Sequence, residues 1–208
     1  MVSDQLQARG IADPDVLAAM ASLPRERFVA PSLADHAYED RALTIGGGQT
    51  ISQPYIVARM TEALGLGRWH GARPAVLDIG TGSGYQAAVL ARLGARVVSV
   101  ERDPDLAIEA AQRLAALGIG GVEVVEGDGS LGWPGEGPYA GIVVGAAAPR
   151  VPPPLEGQLA DGGRLVIPIG TRAMQDLTVV ERSGEHFTRH TLEPCVFVPL
   201  LGHWGFAA

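Results

Sequence analysis

The chain has 208 residues, 47% of them apolar and 19% charged, and its 23 acidic against 16 basic residues give a net charge of −7. That is enough for one α/β domain with a substantial core and appendages, and too little for two full domains. Every basic residue is an arginine, which excludes a Walker phosphate loop, a Schiff-base enzyme and a lysine general base together, and an acidic chain without a basic cluster argues against nucleic acid as a partner.

No apolar run approaches the roughly 20 residues of a membrane span. The opening MVSDQLQARG has neither the basic start nor the apolar core of a secretory signal, so a soluble cytoplasmic protein is expected. Cys195 is the only cysteine. It excludes an internal disulfide and a cysteine-rich metal site, and reads as a small buried strand residue. His36, His70, His186, His190 and His203 fall at no metal-ligand spacing and are expected on the surface or on strands.

Over positions 3–22 the spacing predicts a helix, with Leu6, Ile11, Val16, Leu17 and Met20 apolar and Asp13-Pro14 as cap and first-turn pair. A short helix over 25–28 is expected to plug its aromatic end into the main domain, and 31–40 reads as irregular. Gly46-Gly47-Gly48 predicts a loop whose backbone can approach a ligand closely. The chain then passes through Gln49, Thr50, Ile51 and Ser52 to Pro54, which opens a helix running to Leu64 and stopping at Gly65. Thr50 and Ser52 read two ways. They are caps on that helix, or hydroxyls that join free N–H groups at its N-terminus in an anion site suited to a carboxylate.

The rest of the chain is organised around 76–101, VLDIGTGSGYQAAVLARLGARVVSVE. An apolar run, a turn through Gly80, Gly82 and Gly84, a helical segment and a second apolar run closed by Glu101 make one strand-helix-strand unit. Glu101 lies about 20 residues past the first glycine, where a Rossmann-type site sets a carboxylate on a ribose diol. A dinucleotide fold wants G-x-G-x-x-G, yet here Asp78 stands just before Gly80-Thr81-Gly82-Ser83-Gly84 and would repel a pyrophosphate. That arrangement suits a ligand with a cationic end, such as S-adenosylmethionine with its sulfonium and ammonium. The alternative is a tight turn with no ligand.

Asp103-Pro104 predicts a helix over 105–117 with Leu106, Ile108, Ala111, Leu114 and Leu117 apolar. A short strand over 122–125 leads into Glu126-Gly127-Asp128-Gly129 on the carboxyl edge of a parallel sheet, where ligands bind. Asp128 reads either as an acceptor for an adenine amino group or as a turn aspartate between glycines. A buried strand over 139–144 runs into Gly145-Ala146-Ala147-Ala148-Pro149, small enough to leave room for another segment's backbone. A short helix over 152–159, strands over 162–169 and 175–181, and a last strand or pair over 188–201 broken at Pro194 follow. Alternating strand and helix, then a strand-rich tail, predicts an α/β fold with a doubly wound, mostly parallel sheet and an antiparallel edge.

GGGQTISQP at 46–54 together with VLDIGTGSG at 76–84 closely resembles the protein-L-isoaspartate O-methyltransferase family. The resemblance continues through 124–129, 145–149, 162–168 and 197–200, in order along almost the whole chain. Its QTIS segment is far more specific than the glycine triplet. It implies a class I methyltransferase fold with a seven-stranded sheet, an N-terminal helical extension and antiparallel C-terminal strands. It implies one methyltransferase domain, with helices and a substrate loop over 1–53 and a cofactor-binding core over 54–208. By the same resemblance Ser52 is catalytic and Gln49, Thr50 and Ile51 border cofactor and substrate. Asp78, Gly80 and Thr81 hold the methionine end of S-adenosylmethionine, Glu101 the ribose, and Gly127 with Asp128 the adenine side. The implied activity is metal-free methyl transfer to the free α-carboxylate of isoaspartyl residues in damaged proteins, by a monomer. Rival readings are a peptide aspartate O-methyltransferase acting on a dedicated precursor and a cofactor-binding protein without catalysis. The closing GHWGFAA matches no feature of the family.

Overall fold

The computed structural model of the chain describes residues 1–69 and 73–207; His70 and the last residue of the GHWGFAA tail lie outside them. The chain begins with two short helical turns, Val2–Leu6 and Gln7–Arg9, rather than one helix over 3–22. Gly10 takes φ 93°, a left-handed stop. Regular helix restarts at α1 (Pro14–Ser22), where the Asp13 carboxylate accepts the N–H groups of Asp15 and Val16 at 2.9 and 3.2 Å. The turn Arg25–Phe28 does bury its aromatic end: Phe28 meets Tyr85 edge-on with centroids 5.1 Å apart. Positions 31–40 are not wholly irregular, because Pro31–His36 forms a further helical turn with proline at its start.

The loop at the three glycines is the turn of a hairpin. β1 (Leu43–Gly46) pairs antiparallel with β2 (Gln49–Ile51), and Gly47 and Gly48, at φ 56° and 72°, supply the left-handed pair that a two-residue connection needs. α2 (Pro54–Leu64) starts at proline and ends at Gly65 as expected. Neither Thr50 nor Ser52 caps it; the cap position is Gln53, and the Tyr55 N–H is taken at 3.1 Å by Asp40 Oδ1.

β3 (Ala75–Ile79), α3 (Tyr85–Arg92) and β4 (Arg96–Glu101) form the central unit with its strands parallel. α4 (Pro104–Ala116) is capped by Asp103 and buries Leu106, Ala107, Ala110 and Leu114. Leu106 and Leu114 are buried and Leu117 packs against the core as expected, whereas Ile108 is 56% exposed and Ala111 also faces out. β5 (Val122–Glu126), β6 (Tyr139–Val144), the short α5 (Pro153–Gly157), β7 (Leu159–Gly170), β8 (Gln175–Ser183) and β9 (His186–Cys195) follow. β7 thus starts at Leu159, the last residue of the expected helix. β9 runs on through Pro194 to end at Cys195, and Pro194 pairs with Asp176 beyond a register shift between Asp176 and Thr178.

The sheet order is β5-β4-β3-β6-β7-β8-β9, parallel from β5 to β7 and antiparallel at β7-β8 and β8-β9. Strand order reverses between β3 and β6, and the carboxyl edge at that switch point is where a ligand can enter. Successive residues bury on opposite faces. Leu77, Ile79, Ile142 and Leu165 join the Leu155 cluster, while Val76, Val97, Val143 and Val166 pack with Met60 and Leu90. The N-terminal Leu6, Val16, Met20 and Phe28 share a third cluster with Tyr85 and Val89. Each such side chain contributes about 1.5–3 kcal/mol of burial, so the N-terminal segment is welded to α3 rather than appended. The small 145–149 run does admit other backbone: Ala147 N–H donates to Val198 O at 2.8 Å and Leu200 N–H to Ala147 O at 2.7 Å.

His36, His186, His190 and His203 are exposed, and Cys195 is half-buried at the end of its strand. Among the described residues no helix is long and apolar enough to cross a membrane, and no three His, Cys, Asp or Glu side chains gather as a metal site.

Candidate active site

At the switch point lies a cavity of about 440 Å³, well within the size range of small-ligand sites. The glycine turn at Gly80 and Gly82 lines it, with Glu101 to Pro104 on one side, Gly47, Gln49 and Thr50 of the hairpin on another, and Val198 to Leu201 of the C-terminal segment closing it. Glu101 is fixed in advance of any ligand. Its Oε2 accepts the Gly82 N–H at 2.8 Å, and its Oε1 accepts those of Arg102 and Asp103 at 2.8 and 3.1 Å. A carboxylate has about four lone-pair positions, so a further donor can still be accepted.

Asp78 is fully buried beneath the turn rather than on the cavity wall. Its Oδ2 accepts the Ser99 hydroxyl at 2.7 Å, and Ser99 Oγ lies 2.7 Å from Thr81 Oγ1, so both predicted methionine-end side chains belong to one buried chain of hydrogen bonds. Oδ1 has no partner among the described residues. Burial pushes the Asp78 carboxyl up to about 7 against the lowering pull of the Ser99 bond. An unspent acidic acceptor under the turn and a second carboxylate on the wall make this end of the site hospitable to positive charge. The cavity therefore fits S-adenosylmethionine and disfavours a pyrophosphate.

Gly127 and Asp128 do not line the cavity, although Gly129 does. Asp128 Oδ1 accepts the N–H and hydroxyl of Ser130 at 2.9 and 2.7 Å, and Oδ2 accepts the His203 N–H at 2.8 Å. Burial alone would raise its pKa, but the His203 and Ser130 bonds outweigh that and hold the carboxyl below the ordinary carboxylate range. Asp128 thus accepts three donors, one of them from the far end of the chain.

A smaller cleft of about 150 Å³ adjoins the cavity, and Thr50, Gly145 and Val198 line both. Ser52 lines this cleft with Arg9, Tyr55 and Glu193. It also lines a narrow crevice that it shares with Ile51, Gly80 and Thr81, so Ser52 belongs to the border between the two spaces. Arg25, wholly buried, donates from Nε to Ala37 O at 2.7 Å and from Nη2 to Ser52 O at 2.6 Å, with its guanidinium 4.6 Å from the Tyr85 ring centre. Burial lowers the Arg25 pKa, and Tyr85 pulls it back up. Asp40 holds the Tyr55 N–H through Oδ1 and Arg9 through Oδ2, and the Arg9 guanidinium lies 3.4 Å over the Tyr55 ring. One N–H at the start of α2 is therefore already satisfied and does not wait for a substrate. Cys195 also lines the cleft, but burial pushes its thiol up to about 11, which leaves it protonated and a poor nucleophile at neutral pH.

A model of the protein-L-isoaspartate(D-aspartate) O-methyltransferase family matches residues 1–204. The protein-L-isoaspartate O-methyltransferase of Methanoregula boonei is 54% identical over 207 residues, 99% of this chain and 93% of that one. The protein of the same name from Methanoculleus marisnigri is 56% identical, covering 99% and 92%. A solved protein-L-isoaspartate O-methyltransferase superposes with TM-score 0.85 at 30% identity, over 99% of this chain and 67% of that one. A Plasmodium falciparum structure described as that enzyme, in complex with S-adenosyl-L-homocysteine, gives TM-score 0.81 at 25% identity over 96% of both chains. With that match along nearly its whole length, at a switch point shaped for a cationic nucleoside ligand, the chain belongs to the protein-L-isoaspartate(D-aspartate) O-methyltransferase family.

Proposed function

We propose that the chain transfers a methyl group from S-adenosylmethionine to the free α-carboxylate of L-isoaspartyl residues in damaged proteins and peptides, and that it works as a monomer in the cytoplasm. The observation that carries this reading is the shared border of the large cavity and the Ser52 cleft at Thr50 and Gly145. Two reactants seated in adjoining spaces need cross only that border.

S-adenosylmethionine supplies a methyl group made electrophilic by its sulfonium. The acceptor carboxylate is ionised at neutral pH, so the chain needs no strong general base. Its residues must orient the acceptor and exclude water, and orientation alone can supply several kcal/mol, about 7 or more in favourable cases. Ser52 does this by donating its hydroxyl hydrogen to one carboxylate oxygen, while Gln49, Thr50 and Ile51 border both reactants. Gly80 and Thr81, with Asp78 beneath them, receive the methionine end. Glu101 accepts the ribose hydroxyls, and the Gly127–Asp128 turn bounds the adenine side. Opposite charges cancel as the methyl passes, so a dry cleft favours the transition state over the separated ions. The ester then closes to a succinimide without help from the chain, as the neighbouring backbone nitrogen displaces methanol, and hydrolysis returns part of it to aspartate.

An isoaspartyl peptide and its aspartyl twin, each offered with labelled S-adenosylmethionine, test the reading. Transfer to the isoaspartyl peptide alone is expected. Transfer to the aspartyl peptide alone points to the dedicated-precursor activity, and transfer to neither overturns methylation of this acceptor.

A further inference from the structure

The narrow crevice beside Ser52 opens off the cofactor cavity. It shares Thr50, Gly80, Gly82 and Gly145 with the cavity and is lined on the α3 side by Tyr85 and Gln86. At about 40 Å³ it is too small for a nucleoside but large enough for one small polar group or a water or two. The way Gln86 stands in it is set from α2. Thr61, buried on that helix, donates its hydroxyl hydrogen to Val57 O at 2.8 Å, so toward Gln86 it can only accept. Gln86 Nε2 is the donor it receives, at 2.9 Å, which fixes which way round the amide lies. Gln86 Oε1 is then left with no donor among the described residues. No charged side chain among the described residues lines the crevice, and the one charge next to it is Asp78 under the turn, whose Oδ1 is also without a partner among them. A group that brings both N–H donors and positive charge suits both acceptors.

We propose that Gln86 is a cofactor-binding residue: its Oε1, turned by Thr61, accepts an N–H of the ammonium at the methionine end of S-adenosylmethionine. This rests on the reading that the cavity takes S-adenosylmethionine, and deepens it by setting the amino-acid end of that ligand at the crevice while the nucleoside fills the larger space. An ammonium carries three donors, so one given to Gln86 leaves two for the glycine turn above Asp78. The bond reaches across elements, because Gln86 belongs to α3 and the group that aims it to α2. A hydrogen bond with one charged partner is roughly twice as strong as a neutral one. Its loss should therefore show in affinity, and only for ligands that carry the ammonium.

The test is calorimetric titration of the full chain and its Gln86→Leu, Gln86→Asn and Thr61→Val variants with three ligands. These are S-adenosylmethionine, its decarboxylated form, which keeps amine and sulfonium, and 5′-methylthioadenosine, which lacks the amino-acid end. Gln86→Leu should bind the first two about tenfold more weakly, a change worth about 1.4 kcal/mol, and methylthioadenosine within about twofold of the parent, which also shows that the site is folded. Gln86→Asn, with its amide one methylene short, and Thr61→Val, which leaves the amide unaimed, should each lose about threefold for the two amines. If Gln86→Leu does not fold, the ratio of amine to methylthioadenosine affinity in Gln86→Asn decides in its place. The proposal is overturned if Gln86→Leu binds S-adenosylmethionine as the parent does, since the amide is then a tie between helices and nothing more. It is overturned as well if methylthioadenosine weakens by the same factor, or if the loss is absent with the decarboxylated ligand, which would put the amide on the carboxylate instead. Failure of the unaltered chain to bind S-adenosylmethionine would instead sink the functional reading on which Gln86's role depends.

Discussion

Around the cofactor cavity the key groups are held within or just beyond the β3-α3-β4 unit: Glu101 is pinned by the N–H groups of Gly82, Arg102 and Asp103, and Asp78 by Ser99 on the adjoining strand. The Ser52 cleft is held by groups from separate elements. Arg25 reaches the Ser52 carbonyl across 27 positions, Asp40 the Tyr55 N–H across 15, and Glu193 the Tyr55 hydroxyl across 138. One half of the site is therefore assembled by a single strand-turn-helix unit and the other by the closed tertiary structure. The difference teaches that the two halves should fail separately, and the sharpest way to break that claim is to damage one and watch the other.

Ser52→Ala carries the largest expected effect. Loss of one donor aimed at the reacting carboxylate should cut kcat about 100- to 1,000-fold, read from initial rates on an isoaspartyl peptide, with the Kd of S-adenosylmethionine unchanged by calorimetry. An equal loss in both quantities would show that the halves are one unit. Arg25→Met comes next. It leaves the Ala37 and Ser52 carbonyls without their donor inside the protein. Two unpaired carbonyls should cost about 2 kcal/mol or more of stability, seen as a lower melting temperature, together with a reduced kcat and an intact cofactor Kd in the folded fraction. A variant that melts and turns over as the parent does would mean that the Ser52 loop holds itself.

The same division decides what could be read from the residues alone. The β3-α3-β4 unit was legible because its signals are local: an apolar run, a glycine turn, and Glu101 at a set distance. The hairpin was half legible, since three glycines announce a close backbone approach but not that Leu43 would pair with Ile51. Arg25, Arg9 and Glu193 carried no local signal that they meet near Ser52, because their partners are fixed only when the N-terminal turns and β9 pack against α2. The His203 N–H that Asp128 accepts carried no local signal either, being 75 positions away. The reading of Thr50 and Ser52 as helix caps lost to Asp40, a carboxylate from outside the local window.

Glu101→Gln sharpens the comparison from the other side. The amide keeps one acceptor oxygen but offers an N–H group where a backbone N–H must be received, so the ribose contact and the Gly82 tie cannot both survive intact. S-adenosylmethionine affinity should fall about tenfold, worth about 1.4 kcal/mol, while the peptide KM at saturating cofactor holds. A peptide KM that rises in step would join the two halves through the Gly82 turn.

The smallest effect concerns Asp78 and appears only against pH. Its folded carboxyl titrates near 7, above the ordinary value of 3.8, because burial disfavours the charged form. A raised folded pKa means the folded chain binds more protons than the unfolded one between those limits, so this group's contribution is full below the unfolded value and is lost as pH rises through about 7. Without cofactor, the chain should therefore lose stability between pH 5 and 7.5 at no more than one proton's slope, about 1.4 kcal/mol per pH unit. Asp78→Asn cannot ionise and can still accept the Ser99 hydroxyl, so its chemical-denaturation midpoint should be flatter across that range. Saturating S-adenosylmethionine should flatten the parent's curve as well, because a cation near the turn favours the carboxylate. If the parent keeps its slope when the cofactor is bound, Asp78 is a structural acid under the turn and the methionine end is held without it.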